Sequence, residues 1–172
     1  MTATEFKKLL TKLGACREAV EWAKGKNLKT VWETCEHGDW LLWLVGNMVG
    51  TTNWPTHKQV VLAACACAET SLKYVPKDEL RPKQAIDTVR RWANGKATIE
   101  EVRKAAWAAW AAEAAGAARA AAGAAWAAWA AEAAGAAWAA ARAAEAARAA
   151  VLKDCADLVR HELTPFMQEV LK

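Results

Sequence analysis

Trp107-Ala-Ala-Trp110-Ala-Ala-Glu113-Ala-Ala-Gly116-Ala-Ala118 recurs without change as residues 126–137, within a tract from Ala105 to Ala150 that holds 32 alanines in 46 residues. Alanine is the strongest helix former, so the tract is read as helical. A segment with so few large aliphatic side chains buries area by bringing backbones close together, with large rings filling the gaps that remain. Trp107, Trp110, Trp126, Trp129 and Trp138 are the rings available, and we place them in the core of an all-α chain.

The two copies stand 19 positions apart. On one straight helix that offset turns the second copy by about 100°, so the copies cannot share a stripe. A continuous helix from 99 to 150 would be about 78 Å long, about twice the diameter of a compact protein of this size. We therefore favour an Ala/Trp-rich helical hairpin that turns between Gly116 and Gly123, with Gly135 as a second candidate, over a single rod.

The flanking sequence carries helix start and stop signals at short intervals. Thr2 and Glu5, Thr30 and Glu33, and Thr98 and Glu101 stand at the capping-box spacing, where each side chain satisfies the other's free backbone N–H. Gly14, Gly25, Gly38, Gly50 and Gly95 close periodic segments as left-handed caps would. Asp39 can cap a helix opening at Trp40, and Pro82 suits a first helical turn. The resulting reading is helices near 3–13, 15–24, 30–36, 39–49, 57–73, 82–94, 99 into the tract, 151–162, and a short one after Pro165. No stretch alternates apolar and polar residues long enough for a half-buried strand. At 172 residues without a Ser/Gly/Pro-rich linker, the chain suits one domain, 1–172. Its parts are short helices over 1–97, the tract over 98–150 and C-terminal helices over 151–172.

The formal charge of +4 comes largely from lysines and arginines between Lys7 and Lys29. That is a mildly basic face, short of the footprint of a dedicated nucleic-acid binder, and no specific nucleic-acid partner is expected. The longest uncharged run of the tract, Ala120 to Ala131, falls well below the ~20 apolar residues that cross a bilayer. The N-terminus has no basic region followed by an apolar run, so neither a membrane span nor a secretory signal is read. Cys16, Cys35, Cys65, Cys67 and Cys155 are odd in number and lack a disulfide-framework spacing, which suits a reducing cytoplasm and small core residues.

Two clusters invite a chemical reading. Residues 32–40, Trp-Glu-Thr-Cys-Glu-His-Gly-Asp-Trp, hold a thiol, an imidazole and carboxylates, but sequential neighbours rarely point at one another, and capping, core and loop roles explain each. Cys65 and Cys67 with His57 are a poor metal set, because two steps along a helix turn by about 200°. Phosphate-loop, dinucleotide and zinc-protease signatures are absent. Around Pro82, Ile86 and Val89 define an inward arc, and Arg90 and Arg91 stand within reach of Asp87. The other reading is a pocket in which Arg81 or Arg90 meets a carboxylate or phosphate beside the Trp92 face.

Trp32-x-x-Cys35-x-x-Gly38-Asp39-Trp40-Leu41-Leu42-Trp43-Leu44 is followed by Arg81-Pro82-x-x-Ala85-Ile86-x-x-x-Arg90-x-Trp92-x-x-Gly95, by the alanine tract, and by Ala156-Asp157-Leu158-Val159-Arg160. With these motifs the chain resembles the immunity-five-like putative immunity proteins of bacteria and their phages, from about residue 15 to 162. The resemblance implies an all-helical protein that binds and neutralises a toxin of a polymorphic toxin system, and it transfers no catalytic or binding residue. From side-chain chemistry alone, the candidate contact residues are Asp39, Trp40, Trp43, Arg81, Arg90 and Trp92. The expectation is a cytoplasmic, non-catalytic binding protein without cofactor or metal, whose partner is a protein toxin or effector. The alternative is a phage counter-defence sponge that holds a small nucleotide-like signalling molecule in a pocket lined by both Trp and Arg. The sequence names neither the partner nor the oligomeric state.

Overall fold

The computed structural model describes residues 1–70, 72–75, 77–110 and 149–172. Eight α-helices run through them: α1 Ala3–Leu13, α2 Arg17–Trp22, α3 Leu28–Thr34, α4 Gly38–Asn47, α5 His57–Glu69, α6 Arg81–Ala93, α7 Ile99–Trp110 and α8 Ala149–Met167. A 3-10 turn, Leu72–Tyr74, follows α5, and no strand occurs among the described residues. The all-α reading holds as a compact helical array. The hairpin proposed for the tract, with its turn at Gly116–Gly123, lies outside the described residues.

Helix α5 is the hub. It packs against α4, α6 and α8, while α8 also lies along α4, and α7 closes on α6. Val60, Val61, Ala63, Ala64, Cys65, Cys67 and Ala68 of α5 are all buried. Five of those seven are Ala or Cys, small enough to let neighbouring backbones come close. The tightest approach is made by Gly38, at the start of α4: a Cβ built there would stand 2.6 Å from the Cys155 Cβ and 2.7 Å from the Ala156 nitrogen of α8. Gly38 is therefore no left-handed cap but a contact glycine, whereas Gly14, Gly25, Gly50 and Gly95 do adopt positive φ.

Side chains tie α3 onto α8 from two directions. The indole Nε1 of Trp32, which is 2 % exposed, donates to Thr164 Oγ1 at 3.0 Å. Arg160 Nη1 donates to the carbonyl oxygens of Trp32 at 3.1 Å and Cys35 at 2.7 Å, where the end of α3 leaves its acceptors without helical partners.

The capping boxes of Thr2 with Glu5 and Thr98 with Glu101 form as the spacing predicts. That of Thr30 with Glu33 does not, because α3 starts two residues earlier, at Leu28, with Asn27 Oδ1 accepting from the Thr30 N–H at 2.8 Å. A box the sequence reading passed over, Thr56 with Gln59, caps α5. Asp39 is not the N-cap of α4; His37 holds that place without a side-chain bond, and Asp39 sits in the first turn. Helix α8 continues through Pro165 to Met167, where two separate helices were expected. The proline falls in the last turn, where its missing N–H costs one bond, to the carbonyl of the exposed His161. In α7, Val102, Ala106 and Ala109 face inward at helical spacing, and Trp107, expected in the core, is 56 % exposed. Trp126, Trp129 and Trp138 lie outside the described residues, as does the Trp110 side chain. Four cysteines are buried as expected, but Cys16 is exposed.

Candidate binding site

Helix α4 turns two faces to two surroundings. Leu41, Leu42 and Val45 are buried, while Trp40 and Trp43, three apart, and Asp39 with Trp43, four apart, share another stretch of the helix surface. That stretch forms one wall of a cleft of about 300 Å³. The opposite walls come from α1, through Phe6 and Leu10, from the turn Gly14–Cys16, and from α2, through Ala19 and Trp22. Val31, Cys35, Leu41 and Leu44 make its floor. Of the six residues singled out from chemistry, the structure brings Asp39, Trp40 and Trp43 together here. Trp22 and Cys16 were missed, because nothing local marks a lone Trp at the end of a six-residue helix.

The indoles are held by specific contacts. Trp22 meets Trp40 edge to face, with ring centroids 6.0 Å apart, and His37 stacks on Trp40 at 3.9 Å with the planes 10° apart. Lys26 sets its ammonium 3.3 Å from the Trp22 ring centroid and donates to the Trp22 carbonyl at 2.9 Å. His37 Nδ1 lies 3.6 Å from Asp39 Oδ1. Asp39 is the one charged residue in the cleft wall among the described residues. The Cys35 thiol points to the His37 carbonyl at 3.6 Å, not to its imidazole, and burial raises its pKa. Thiol and imidazole are therefore not arranged as nucleophile and base.

The other three candidates stand elsewhere, and apart from one another. Arg81 and Arg90 are nine residues apart on α6, which places them on opposite sides of the helix. Arg81 is forked onto Glu79 through Nε and Nη2, which lowers the Glu79 pKa to about 2. It lines a groove of about 450 Å³ between α6 and α7, together with Gln84, Thr88, Arg91, Glu101 and Lys104. Arg90 makes a bidentate pair with Glu69 of α5, and Arg91 pairs with Glu101 of α7 at 3.2 Å. The expected pairing of both with Asp87 is replaced by Lys83, which reaches Asp87 at 2.7 Å. The reason is that neighbouring helices bring their own carboxylates to Arg90 and Arg91. Trp92 meets His57 edge-on at 6.0 Å, with Lys58 above its ring at 5.9 Å.

Neither of these two pockets combines Trp with Arg among the described residues: the lining that those residues give the Trp-walled cleft has no Arg or Lys, and that of the arginine groove has no Trp. Cys65 and Cys67 are buried thiols, the first pushed up to about 12 by burial, the second donating toward the Cys155 carbonyl at 3.7 Å. No group of three His, Cys, Asp or Glu placed to hold a metal occurs among the described residues. None of the described helices is long and apolar enough to cross a membrane.

The family model of the Imm-5 like putative immunity proteins matches residues 50–161. The match takes in α5, α6, α7, the alanine tract and most of α8, and it begins C-terminal to the helices that build the cleft. No curated protein and no solved structure matches the chain.

Proposed function

The chain belongs to the Imm-5 like putative immunity protein family, and from that membership we propose that it protects its cell by binding a protein toxin and occupying a surface the toxin needs. On this reading it performs no chemistry of its own. The observation that carries the proposal to a place on the molecule is the cleft between α1, α2 and α4, where three half-buried indoles surround an apolar floor. Tryptophan is enriched among the few residues that dominate protein–protein affinity, and a preformed concave site loses little freedom when a partner side chain enters. The cleft lies outside the matched stretch, so the reading divides the labour: residues 50–161 supply the scaffold, and the N-terminal helices supply recognition.

The test is co-expression of the chain with each toxic product of its genomic neighbourhood. Rescue of growth from one of them, together with recovery of a complex on tagged purification, is the expected outcome. Rescue should fail for Ala19→Trp, which fills the cleft from its lip. Absence of rescue across every toxic neighbour sinks the immunity reading, and rescue undiminished by Ala19→Trp removes the cleft from it.

A further inference from the structure

We propose that Cys67 of α5 and Cys155 of α8 are a disulfide-forming pair, a redox-sensitive site at which oxidation bolts the two helices together. The proposal concerns the scaffold and stands independently of the immunity reading.

Three observations lead there. First, α5 packs on α8, and the buried neighbours of the pair along the two helices are small, Ala64 and Ala68 on one and Ala156 on the other. Packed helix axes lie about 8–10 Å apart, and Cα atoms at a radius of about 2.3 Å then face one another across roughly 4–6 Å, a span that a disulfide bridges. Second, the two side chains meet. The Cys67 sulfur lies 3.7 Å from the Cys155 carbonyl oxygen, and its S–H also reaches the Cys155 sulfur, a hydrogen bond that lowers the Cys155 pKa and raises that of Cys67. Gly38 crowds the Cys155 Cβ, which restricts where that side chain can turn. Third, the other thiols are directed elsewhere. Cys65 stands about 200° round α5 from Cys67 and senses the charges of Arg90, Glu69 and Asp87. Cys35 points to the His37 carbonyl, and Cys16 is exposed at the cleft.

Closure removes two protons and two electrons from the pair, and a small-molecule disulfide such as oxidised glutathione accepts them. The Cys155 thiolate, favoured by the S–H of Cys67 and the hydroxyl of Thr70, attacks one sulfur of that disulfide. Its S–S bond breaks, and the leaving thiolate takes up the proton that Cys155 gave. Cys67 then loses its proton and attacks the Cys155 sulfur of the mixed disulfide, expelling the second thiolate, which takes up the Cys67 proton. Two glutathione thiols depart and one Cys67–Cys155 bond remains. Thr70, the half-buried C-cap of α5, sets this end of the interface near the surface, where local opening admits the reagent.

The experiment uses the full chain carrying Cys16→Ser, which removes the exposed thiol. It is equilibrated in buffers of graded reduced-to-oxidised glutathione ratio, once from reduced native protein and once by refolding from urea, until the two agree. Intact mass and peptide mapping after acid quenching read the bond, and amide exchange reads its effect. The mass of two hydrogen atoms should be lost, with Cys67 linked to Cys155, at least about tenfold more readily than in the same chain held unfolded in urea. Amide exchange in α5 and α8 should slow at least about tenfold in the oxidised protein, because a cross-link between residues 88 positions apart restrains the opened chain. Cys65→Ser should leave both changes intact, and Cys155→Ser should abolish them. Cys67→Ala, which only shortens a buried side chain, takes the place of Cys155→Ser if that variant does not fold. No bond in the folded protein, a bond that uses Cys35 or Cys65 instead, a bond formed no more readily in the folded than in the unfolded chain, or exchange no slower once it has formed overturns the inference.

Discussion

Helix α5 buries seven of its thirteen residues, whereas the six residues of α2 include none that is fully buried. The first is capped at its start by the reciprocal bonds of Thr56 and Gln59; the second begins at Cys16 with no side-chain cap at all. Helix α5 touches three other helices closely, through alanines and cysteines small enough to let backbones approach. Helix α2 packs on α1, with Val20 and Trp22 only partly buried against the core and Trp22 meeting Trp40 edge to face. Core and lip therefore differ in side-chain size as much as in burial. Small residues give close packing that tolerates no addition, and large rings spaced around a short helix leave a cleft. The contrast coincides with the family match, which includes α5 and excludes α2.

Thiol chemistry should show the largest difference between the two regions. Cys16 at the head of α2 is exposed, while Cys35, Cys65, Cys67 and Cys155 are buried, and burial holds Cys65 as the unreactive thiol with its pKa near 12. In the native protein, iodoacetamide should modify one cysteine quickly and the other four at least about a thousandfold more slowly, the factor set by ~4 kcal/mol of opening free energy. Intact mass followed over time reads this directly. A second fast thiol at Cys65, Cys67 or Cys155 would mean that the α5–α8 interface opens as readily as the lip.

Gly38→Ala should be the most damaging single methyl. The Cβ it adds meets both the Cys155 Cβ and α8 backbone, neither of which can swing aside, so a loss of ~3 kcal/mol is expected in urea unfolding. Gly14, by comparison, has φ +78° and open space around its would-be Cβ. Gly14→Ala should lose only ~1 kcal/mol, from backbone conformation alone. Equal losses at the two glycines would show that α4 and α8 are less closely apposed than described.

How much of this was legible beforehand differs between the same two regions. The helices themselves announced their positions, because Thr2 with Glu5, Thr98 with Glu101 and Pro82 are local devices that act within one turn. Gly38 was misread because a close approach to α8 and a left-handed cap use the same residue for different reasons, and only the first depends on a segment more than a hundred positions away. The partners of Arg90 and Arg91 were hidden for the same cause, since Glu69 and Glu101 come from other helices while Asp87 was visible on their own. Within the cleft, Asp39, Trp40 and Trp43 were readable as neighbours on one helix. Their facing wall, Trp22 and Cys16, was not, because α2 meets them only through the fold.

Adding bulk to one alanine in each region puts the contrast on a smaller scale. Ala64→Leu in α5 has no space to occupy and should lose ~1–3 kcal/mol. Ala19→Leu, half-buried on the cleft lip, extends into existing space and should stay within about 0.5 kcal/mol of the native protein. If Ala19→Leu destabilises as much as Ala64→Leu, the cleft is already filled by the molecule itself.

The smallest expected effect is that of acid on the helix starts. Glu5 and Glu101 have lowered pKa values, in each case first through the backbone N–H of the threonine they cap, Thr2 and Thr98. A carboxylate favoured in the folded state contributes its full stability above the ordinary carboxylate pKa, and that contribution is lost as pH falls through the lowered folded value. The box on α5 uses Gln59, which does not titrate across that range. Below the ordinary carboxylate range, amide exchange should therefore rise at the first turns of α1 and α7 while that of α5 stays protected. Thr2→Ala should bring the Glu5 titration back up toward the ordinary value, since the backbone N–H that Glu5 accepts from is then no longer held in place by the hydroxyl's reciprocal bond. If all three helix starts loosen together on acidification, charge is not what distinguishes their caps.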